Sequence, residues 1–396
     1  MRLGWHARWL LAVIPFLAGC SGFWDAPGTS GSGTGGCTTN CTTASSGAFY
    51  ILSSGAAPQV AGGTIVSGKL NGISGSPWLL TNAPYSMAIS PNGGFLYVST
   101  TLGVFAYPIV NSVLGAATQL TQDDNALGIQ IDSTGNWLIE AQQVTGGITM
   151  AALPLNAYTG AAAGIEVTTS YAMANTTAAV QSRLAISPDN KNIFVPLGGG
   201  GVMVVPFFAT AGAGVSPFGN ATLIPVANAG GSSLSVAVDP QGRLFYIGQV
   251  AGGPSGSGGG LLAYNYSSLG GTLTQAAGSP IASGGLAPNA ILPDAAGAYI
   301  YVANGQGVGT AGNITSFSIS ASGSTYTVAA TGSSVATGTQ PLSLAEDNSS
   351  QFVFDAGGVS NPHFDVFTFS TTTPGKLDSQ FVSPAAASPL AIVAAP

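Results

Sequence analysis

Charge is what this 396-residue chain has least of: only 5% of its residues are Asp, Glu, Lys or Arg, against about 25% in an ordinary globular domain. Beyond Arg2 and Arg8, the basic residues are Lys69, Arg183, Lys191, Arg243 and Lys376, set against 14 acidic ones. So sparse a set excludes nucleic acid as a partner, because phosphate backbones need clustered Lys and Arg. It excludes a polybasic membrane patch on the same ground. Histidine is nearly missing, with two in the whole chain, so a Ser-His-Asp triad has little to draw on. Cysteine is confined to Cys20, Cys37 and Cys41. No cluster of metal-ligating residues is visible along the chain, and no metal or cofactor is expected. Apolar residues at 3.6-residue spacing are missing beyond residue 46, so helices should be scarce.

Glycine is abundant, with 58 copies. Low charge with many Gly, Ser, Thr and Asn is also the composition of a disordered segment. Regularly spaced apolar strands argue against disorder everywhere except near the N-terminus. Those strands belong to a repeat: an apolar strand, a turn, then a second apolar strand. Ile89-Ser90-Pro91-Asn92-Gly93-Gly94-Phe95-Leu96-Tyr97-Val98 is one copy, and Val238-Asp239-Pro240-Gln241-Gly242-Arg243-Leu244-Phe245-Tyr246 is another. Anchored on the turn, the copies fall at Gly93, Gly135, Asn190, Gly242, Gly297 and Ser350, with Ser46 in the same slot of a split copy. The period is about 51 residues, within the range of propeller blades. Gly and Asn suit a turn that needs positive φ, and Asp-Pro or Ser-Pro favours turn initiation.

A third strand follows each pair, as in Gly201-Val202-Met203-Val204-Val205. A more polar fourth ends the unit, as in Gly271-Thr272-Leu273-Thr274-Gln275. Four strands in each of seven units describe an all-β, seven-bladed β-propeller. The termini agree with a ring. Pro389-Leu390-Ala391-Ile392-Val393-Ala394-Ala395-Pro396 matches Pro84-Tyr85-Ser86-Met87-Ala88-Ile89-Ser90-Pro91, but stops where its turn should begin. The missing half stands alone as Ser46-Gly47-Ala48-Phe49-Tyr50-Ile51-Leu52. The last strand is therefore expected to complete the blade that the first one starts.

The first residues read as an address. Arg2 and Arg8 form a basic start, and Leu10 to Leu17 is apolar but too short to span a bilayer. Leu17-Ala18-Gly19-Cys20 resembles the bacterial lipobox. That resemblance implies cleavage after residue 19 and lipidation of Cys20; Ser21 in the next position implies sorting to the outer membrane. The expected organisation is a leader over 1–19, a lipidated Cys with a Gly/Ser/Thr linker over 20–45, and the propeller over 46–396. Such a linker spans about 28 Å as a flexible coil. Cys37 and Cys41 lie inside it and can pair as a small disulfide loop in an oxidising compartment. The lipid would be the chain's one membrane device.

Three stretches resemble the β-propeller lactonase family, whose units also occur in surface proteins with YVTN-type repeats. They are Ala237 to Tyr246, Tyr299-Ile300-Tyr301-Val302-Ala303-Asn304, and Gly271-Thr272-Leu273-Thr274 running into Gly278-Ser279-Pro280. The resemblance covers about residues 46–396. For members that act as 6-phosphogluconolactonases or carboxymuconate cyclases it implies His, Arg and Glu at the channel mouth, with a His-Pro-His entering one inner strand. The matching place here reads Val180-Gln181-Ser182-Arg183 ahead of Leu184-Ala185-Ile186-Ser187-Pro188-Asp189-Asn190. Neither His is present, so those two activities are not expected.

The candidate site residues follow from the repeat. Arg183 enters an inner strand at the mouth, where a guanidinium can grip a carboxylate or phosphate. The position one residue earlier in each repeat is Tyr85, Leu127, Ser182, Leu234, Asn289 and Leu342. That mostly apolar ring suits a sugar, a peptide or an apolar group better than a charged one; Tyr85, Ser182, Arg183 and Asn289 are its ligand-binding candidates. Glu140, beside Gln142 and Gln143, is a buried-carboxylate candidate, and with Arg183 it is the pair available for catalysis. His363 falls on a third strand away from the channel and is expected at the surface. The acidic pairs Asp123-Asp124 and Glu346-Asp347 are expected in turn and cap roles. The expected function is a lipid-anchored binding or scaffold module of the cell envelope, with a small-molecule, glycan or protein ligand. The other reading is a divergent lactonase-family hydrolase.

Overall fold

The repeat's turn chemistry dictates the local structure. In the computed structural model, which describes residues 46–396 apart from 123–125, 174–176, 182, 307–309, 359–360 and 386, all six complete turns are built alike. The anchors Gly93, Gly135, Asn190, Gly242, Gly297 and Ser350 all have φ between 51° and 75°. Each anchor N–H donates to the carbonyl three residues earlier, on Ser90, Asp132, Ser187, Asp239, Asp294 or Asp347. The side chain of that earlier residue closes the turn from the other side. The N–H of Trp137 donates to Asp132 at 2.8 Å, that of Tyr299 to Asp294 at 2.9 Å and that of Phe352 to Asp347 at 2.6 Å. Ser90 and Ser187 accept from Phe95 and Asn192 in the same way.

These turns join the inner two strands of six of the seven antiparallel sheets. Blade 1 begins with Pro84–Ile89, Phe95–Thr100 and Gly103–Val110; blade 2 with Ala126–Ile131, Trp137–Val144 and Gly147–Pro154. Blade 3 begins with the short Ala185–Ile186, then Asn192–Pro196 and Val202–Pro206. Blade 4 begins with Ser232–Val238, Leu244–Val250 and Gly260–Asn265. Blade 5 has Ala287–Pro293, Tyr299–Gly305 and the long outer pair Ala311–Ser322 and Thr325–Thr339. Blade 6 has Pro341–Glu346, Phe352–Gly357, His363–Phe369 and Leu377–Pro384. Among the described residues there is no α-helix, only a 3-10 turn at Tyr266–Ser268.

One expected strand moves. The fourth strand of blade 4 is Ile281–Ala282, not the Gly271–Gln275 stretch. The Asn265 amide donates to the carbonyl and hydroxyl of Thr274. This holds that stretch as a loop that pairs with the third strand through an isolated bridge between Tyr264 and Gln275.

Blade 7 is made from both ends of the described chain. Its strand order runs Lys69–Gly72, Gln59–Val66, Phe49–Ser54 and Ser388–Ala394, with the last innermost. Phe49 pairs with Ala394, Tyr50 with Val393 and Ile51 with Ile392. The ring is therefore closed as the split repeat requires.

The core is divided among the blade interfaces. Seven apolar clusters fill seven seams, so every blade is buried on both faces. Phe49 and Ile51 meet Phe352, Phe354 and Phe364 between blades 6 and 7. Tyr50 and Leu52 meet Met87, Leu96 and Val98 between blades 7 and 1. The remaining five seams are filled in the same manner.

Closure makes the last strand indispensable. Removing residues 388–396 would expose a sheet edge and open two seams, at a cost of several kcal/mol out of a typical 5–15. Ile392→Ala, at a side chain 1% exposed, should by itself cost about 2–5 kcal/mol. Urea denaturation checks both; a truncated chain as stable as the full one would refute closure through this strand.

Candidate functional site

Arg183 sits just ahead of the inner strand of blade 3, and its side chain points across the ring. Its Nη2 donates to Ser343 Oγ, on the inner strand of blade 6. Ser343 is fully buried and also accepts the Ile392 N–H at 2.6 Å. The guanidinium thus ties the wall of blade 3 to the place where blades 6 and 7 meet. Arg183 lines two cavities: a channel space of about 390 Å³ and a mouth pocket of about 130 Å³. It acts as the partition between them. Burial holds its pKa down to about 10, with the Asp355 charge pulling the other way, so it stays protonated at neutral pH.

The mouth pocket is completed by Gln181, Leu234, Asn289, Leu342 and Leu390. Asn289 donates to the Pro341 carbonyl at 2.8 Å, and Gln181 to the Ala179 carbonyl at 2.9 Å. Their amide nitrogens are therefore engaged in holding the wall. Of the expected ring, Arg183, Asn289, Leu234 and Leu342 are brought together. Tyr85 is half-buried in its strand and does not line this pocket. Leu127 packs against the seam between blades 2 and 3. Ser182 lies outside the described residues, as do Asp123, Asp124, Cys20, Cys37 and Cys41.

Glu140 is fully buried, on the second strand of blade 2, with Gln142 Nε2 3.5 Å from its carboxylate. It lines neither cavity, and Arg183 reaches Ser343 rather than Glu140. The expected catalytic pair is not assembled. Its position has a meaning in the repeat all the same. Five residues after the turn anchor, five blades carry Ile51, Val98, Val195, Ile247 and Val302, each packed into the seam with the preceding blade. Blades 2 and 6 carry Glu140 and Asp355 there instead.

Asp355 leads to the feature that the sequence hid. It pairs across the ladder with Asp365, and Gly357 pairs with His363. All three side chains therefore project from one face of blade 6, toward blade 5. His363 is 3% exposed, so the expected surface histidine is in fact buried. It is on the third strand, but the long outer strands of blade 5 cover it: a Cβ on Gly338 would fall 2.3 Å from the imidazole Cγ. His363 Nε2 lies 3.2 Å from Asp355 Oδ2 and 3.8 Å from Asp365 Oδ2. The Gly338 N–H donates to Asp365 Oδ2 at 2.8 Å.

Both carboxylates are fully buried, and burial raises both pKa values. Asp365 is pushed to about 7 by burial and then by the Asp355 charge, while the His363 bond and charge oppose the rise at Asp355. Burial alone would lower the His363 pKa, but the Asp355 bond and the two carboxylate charges carry it above its ordinary value. A triad of candidate metal ligands thus exists where none was visible along the chain, its donor atoms all within 4.8 Å of one another. The legible signal was an acid in the slot that five blades fill with Val or Ile.

Other acids have plainer work. Asp132, Asp239, Asp294 and Asp347 close turns. Glu346 accepts the Ala295 N–H from the preceding blade. Asp189 and Asp378 pair with Lys191 and Lys376. The Glu346-Asp347 pair thus has the turn and cap roles expected of it.

No family model matches the chain, and no curated protein matches it. Solved structures do. A candidate 6-phosphogluconolactonase from Bacteroides fragilis aligns with a TM-score of 0.64 at 16% identity, over 89% of this chain and 99% of its own. The Pseudomonas aeruginosa periplasmic gluconolactonase gives 0.64 at 16%, over 89% and 100%. A candidate 6-phosphogluconolactonase from Bacteroides uniformis gives 0.63 at 18%, over 88% and 98%. The resemblance to lactonase-type propellers therefore holds at the level of fold.

The Arg183 strut rests on one hydroxyl. Ser343→Ala would remove the acceptor of both Arg183 and the buried Ile392 N–H. The expected loss is about 1–3 kcal/mol, the cost of stranding a buried donor. Urea denaturation reads it, and a variant as stable as the parent would show that Ser343 does not anchor the strut.

Proposed function

We propose that the protein is a ligand-binding propeller of the cell envelope that seats a small polar group at its channel mouth. The observation that carries this reading is the chemistry of the mouth pocket. Its lining is three leucines, two amides and one guanidinium. A guanidinium can grip a carboxyl or hydroxyl group, but it cannot take up a proton at neutral pH, and amides cannot serve as bases. The pocket can bind without activating water. At about 130 Å³ it is smaller than the 300–1,000 Å³ of sites that enclose a whole drug-sized ligand. It suits one end of a ligand: a sugar ring edge or the side chain of a peptide.

Hydrolysis of a lactone is the second reading, favoured by the names of the structural neighbours. At 16–18% identity those names speak for the fold. The chain's own chemistry favours binding, because His363 lines neither cavity. Envelope placement draws support from two sides. The leader ends in Leu17-Ala18-Gly19-Cys20. One neighbour is described as periplasmic. Cys20 would then carry the tether.

Two measurements test this reading. Titration calorimetry of the full chain with gluconate and with glucose should show binding that Arg183→Gln weakens about tenfold or more, as loss of a charged hydrogen bond implies. Assays on gluconolactone and 6-phosphogluconolactone should stay at background; turnover that disappears in the same variant would establish the hydrolase instead. For the tether, Cys20→Ser should move the protein from the membrane to the soluble fraction. Unchanged partition of that variant would end the lipid proposal.

A further inference from the structure

Three buried donor groups between blades 5 and 6 have no part in the mouth pocket. We infer that Asp355, His363 and Asp365 form a binding site for one divalent transition-metal ion, with Zn²⁺ as the best-fitting chemistry.

Geometry carries the inference. Zn²⁺ held at about 2.0–2.1 Å by nitrogen and oxygen in a tetrahedron sets its ligands about 3.3 Å apart. His363 Nε2 stands 3.2 Å and 3.8 Å from the two carboxylate oxygens, so the three atoms already mark edges of such a shell. Antiparallel pairing fixes the arrangement: Asp355 faces Asp365, and His363 follows two residues away on the same face. Two paired strands supply all three ligands.

Unmet hydrogen-bonding capacity is the independent observation. Asp355 Oδ1 and Asp365 Oδ1 are both buried without a hydrogen-bond partner among the described residues. All three side chains are at least 97% buried. A proton shared through Nε2 reaches one carboxylate well and the other poorly, and leaves both Oδ1 atoms stranded. A cation between the groups would satisfy the two carboxylates and the imidazole together. It would also relieve the repulsion between the two carboxylates, of which the Arg183 charge acts on Asp355 and Asp365 is raised by its neighbour.

The surroundings behave as an outer shell. The Gly338 N–H already orients Asp365. The imidazole also bonds the Asn361 carbonyl; with Nε2 turned to the two carboxylates, that bond falls to Nδ1 and leaves Nε2 as the lone-pair donor. Metal-bound histidines are commonly oriented in this way. Gly338 is the cradle: any side chain there would collide with the imidazole. A mixed carboxylate and imidazole set suits Zn²⁺ or Mn²⁺ better than Ca²⁺, which prefers oxygen ligands alone. The ion would be structural. It would hold the hairpin of blade 6 and, through Gly338, its seam with blade 5.

The test is metal content and metal-dependent stability of the full chain. After EDTA treatment, the chain is dialysed separately against Zn²⁺, Mn²⁺ and Ca²⁺, then desalted. Expected are one Zn²⁺ retained per chain and a melting midpoint several degrees higher, with no effect of Ca²⁺. His363→Gln and Asp365→Asn should each abolish retention, while the double variant Cys37→Ser/Cys41→Ser keeps it. Co²⁺ loading should give visible bands without a thiolate charge-transfer band. The inference is overturned if no ion is retained at one per chain with the melt unmoved. It is equally overturned if the ion survives His363→Gln with Asp365→Asn, or if the Co²⁺ spectrum shows thiolate ligation. Should a ligand variant fail to fold, the parent's Zn²⁺ retention and Co²⁺ spectrum decide the matter by themselves.

Discussion

Everything in this molecule depends on one antiparallel pairing, between Ser388–Ala394 and Phe49–Ser54. Each of the seven seams needs two finished blade faces, and blade 7 is finished only by that pairing. The mouth depends on it as well. Leu390 stands in the mouth wall on the closing strand, and Ile392 on the same strand shares the hydroxyl that anchors Arg183. Fold closure and site formation are therefore a single event.

The unusual composition follows from the same architecture. A blade between two neighbours has no solvent-facing side along its inner and middle strands, so those strands are apolar on both faces. Phe352, Phe354 and Phe364 fill one side of blade 6 while Val353 and Phe367 fill the other. Acids are admitted mainly at the turns, where a carboxylate can collect the strand N–H groups that the ladder does not use. The few charges are thus placed by backbone demand rather than by solubility.

How much could be read in advance depended on the kind of contact. Turn anchors were legible because a position needing positive φ selects Gly or Asn, and because the same need recurs at Gly93, Asn190 and Gly242. Ring closure was legible because Pro389–Pro396 copies Pro84–Pro91 without its turn. The Leu234, Asn289 and Leu342 part of the wall falls on one repeat position, with Arg183 one residue past it in blade 3. Tyr85, at the same repeat position in blade 1, does not line the pocket, whereas Leu390 of blade 7 does. The Asp355, His363 and Asp365 group was not legible: it depends on which face of a third strand turns inward, and on blade 5's long outer strands folding over it. Ladder register settles the first and strand length the second, and neither is written in a local motif.

The inner strands all run in one direction, from the mouth toward the turns. Leu390 is at the mouth end of the closing strand, and Ala394 at its other end pairs with Phe49. The Ala395 N–H donates to the Ala48 carbonyl, and Gly93 of the first turn packs beside Pro396. Residue 46 therefore joins the ring on the turn side, diametrically away from Arg183 and Asn289. Any attachment made through the preceding residues grips the disc from beneath. The polarity of the strands thus puts the mouth and the chain's entry into the ring on opposite faces of the disc.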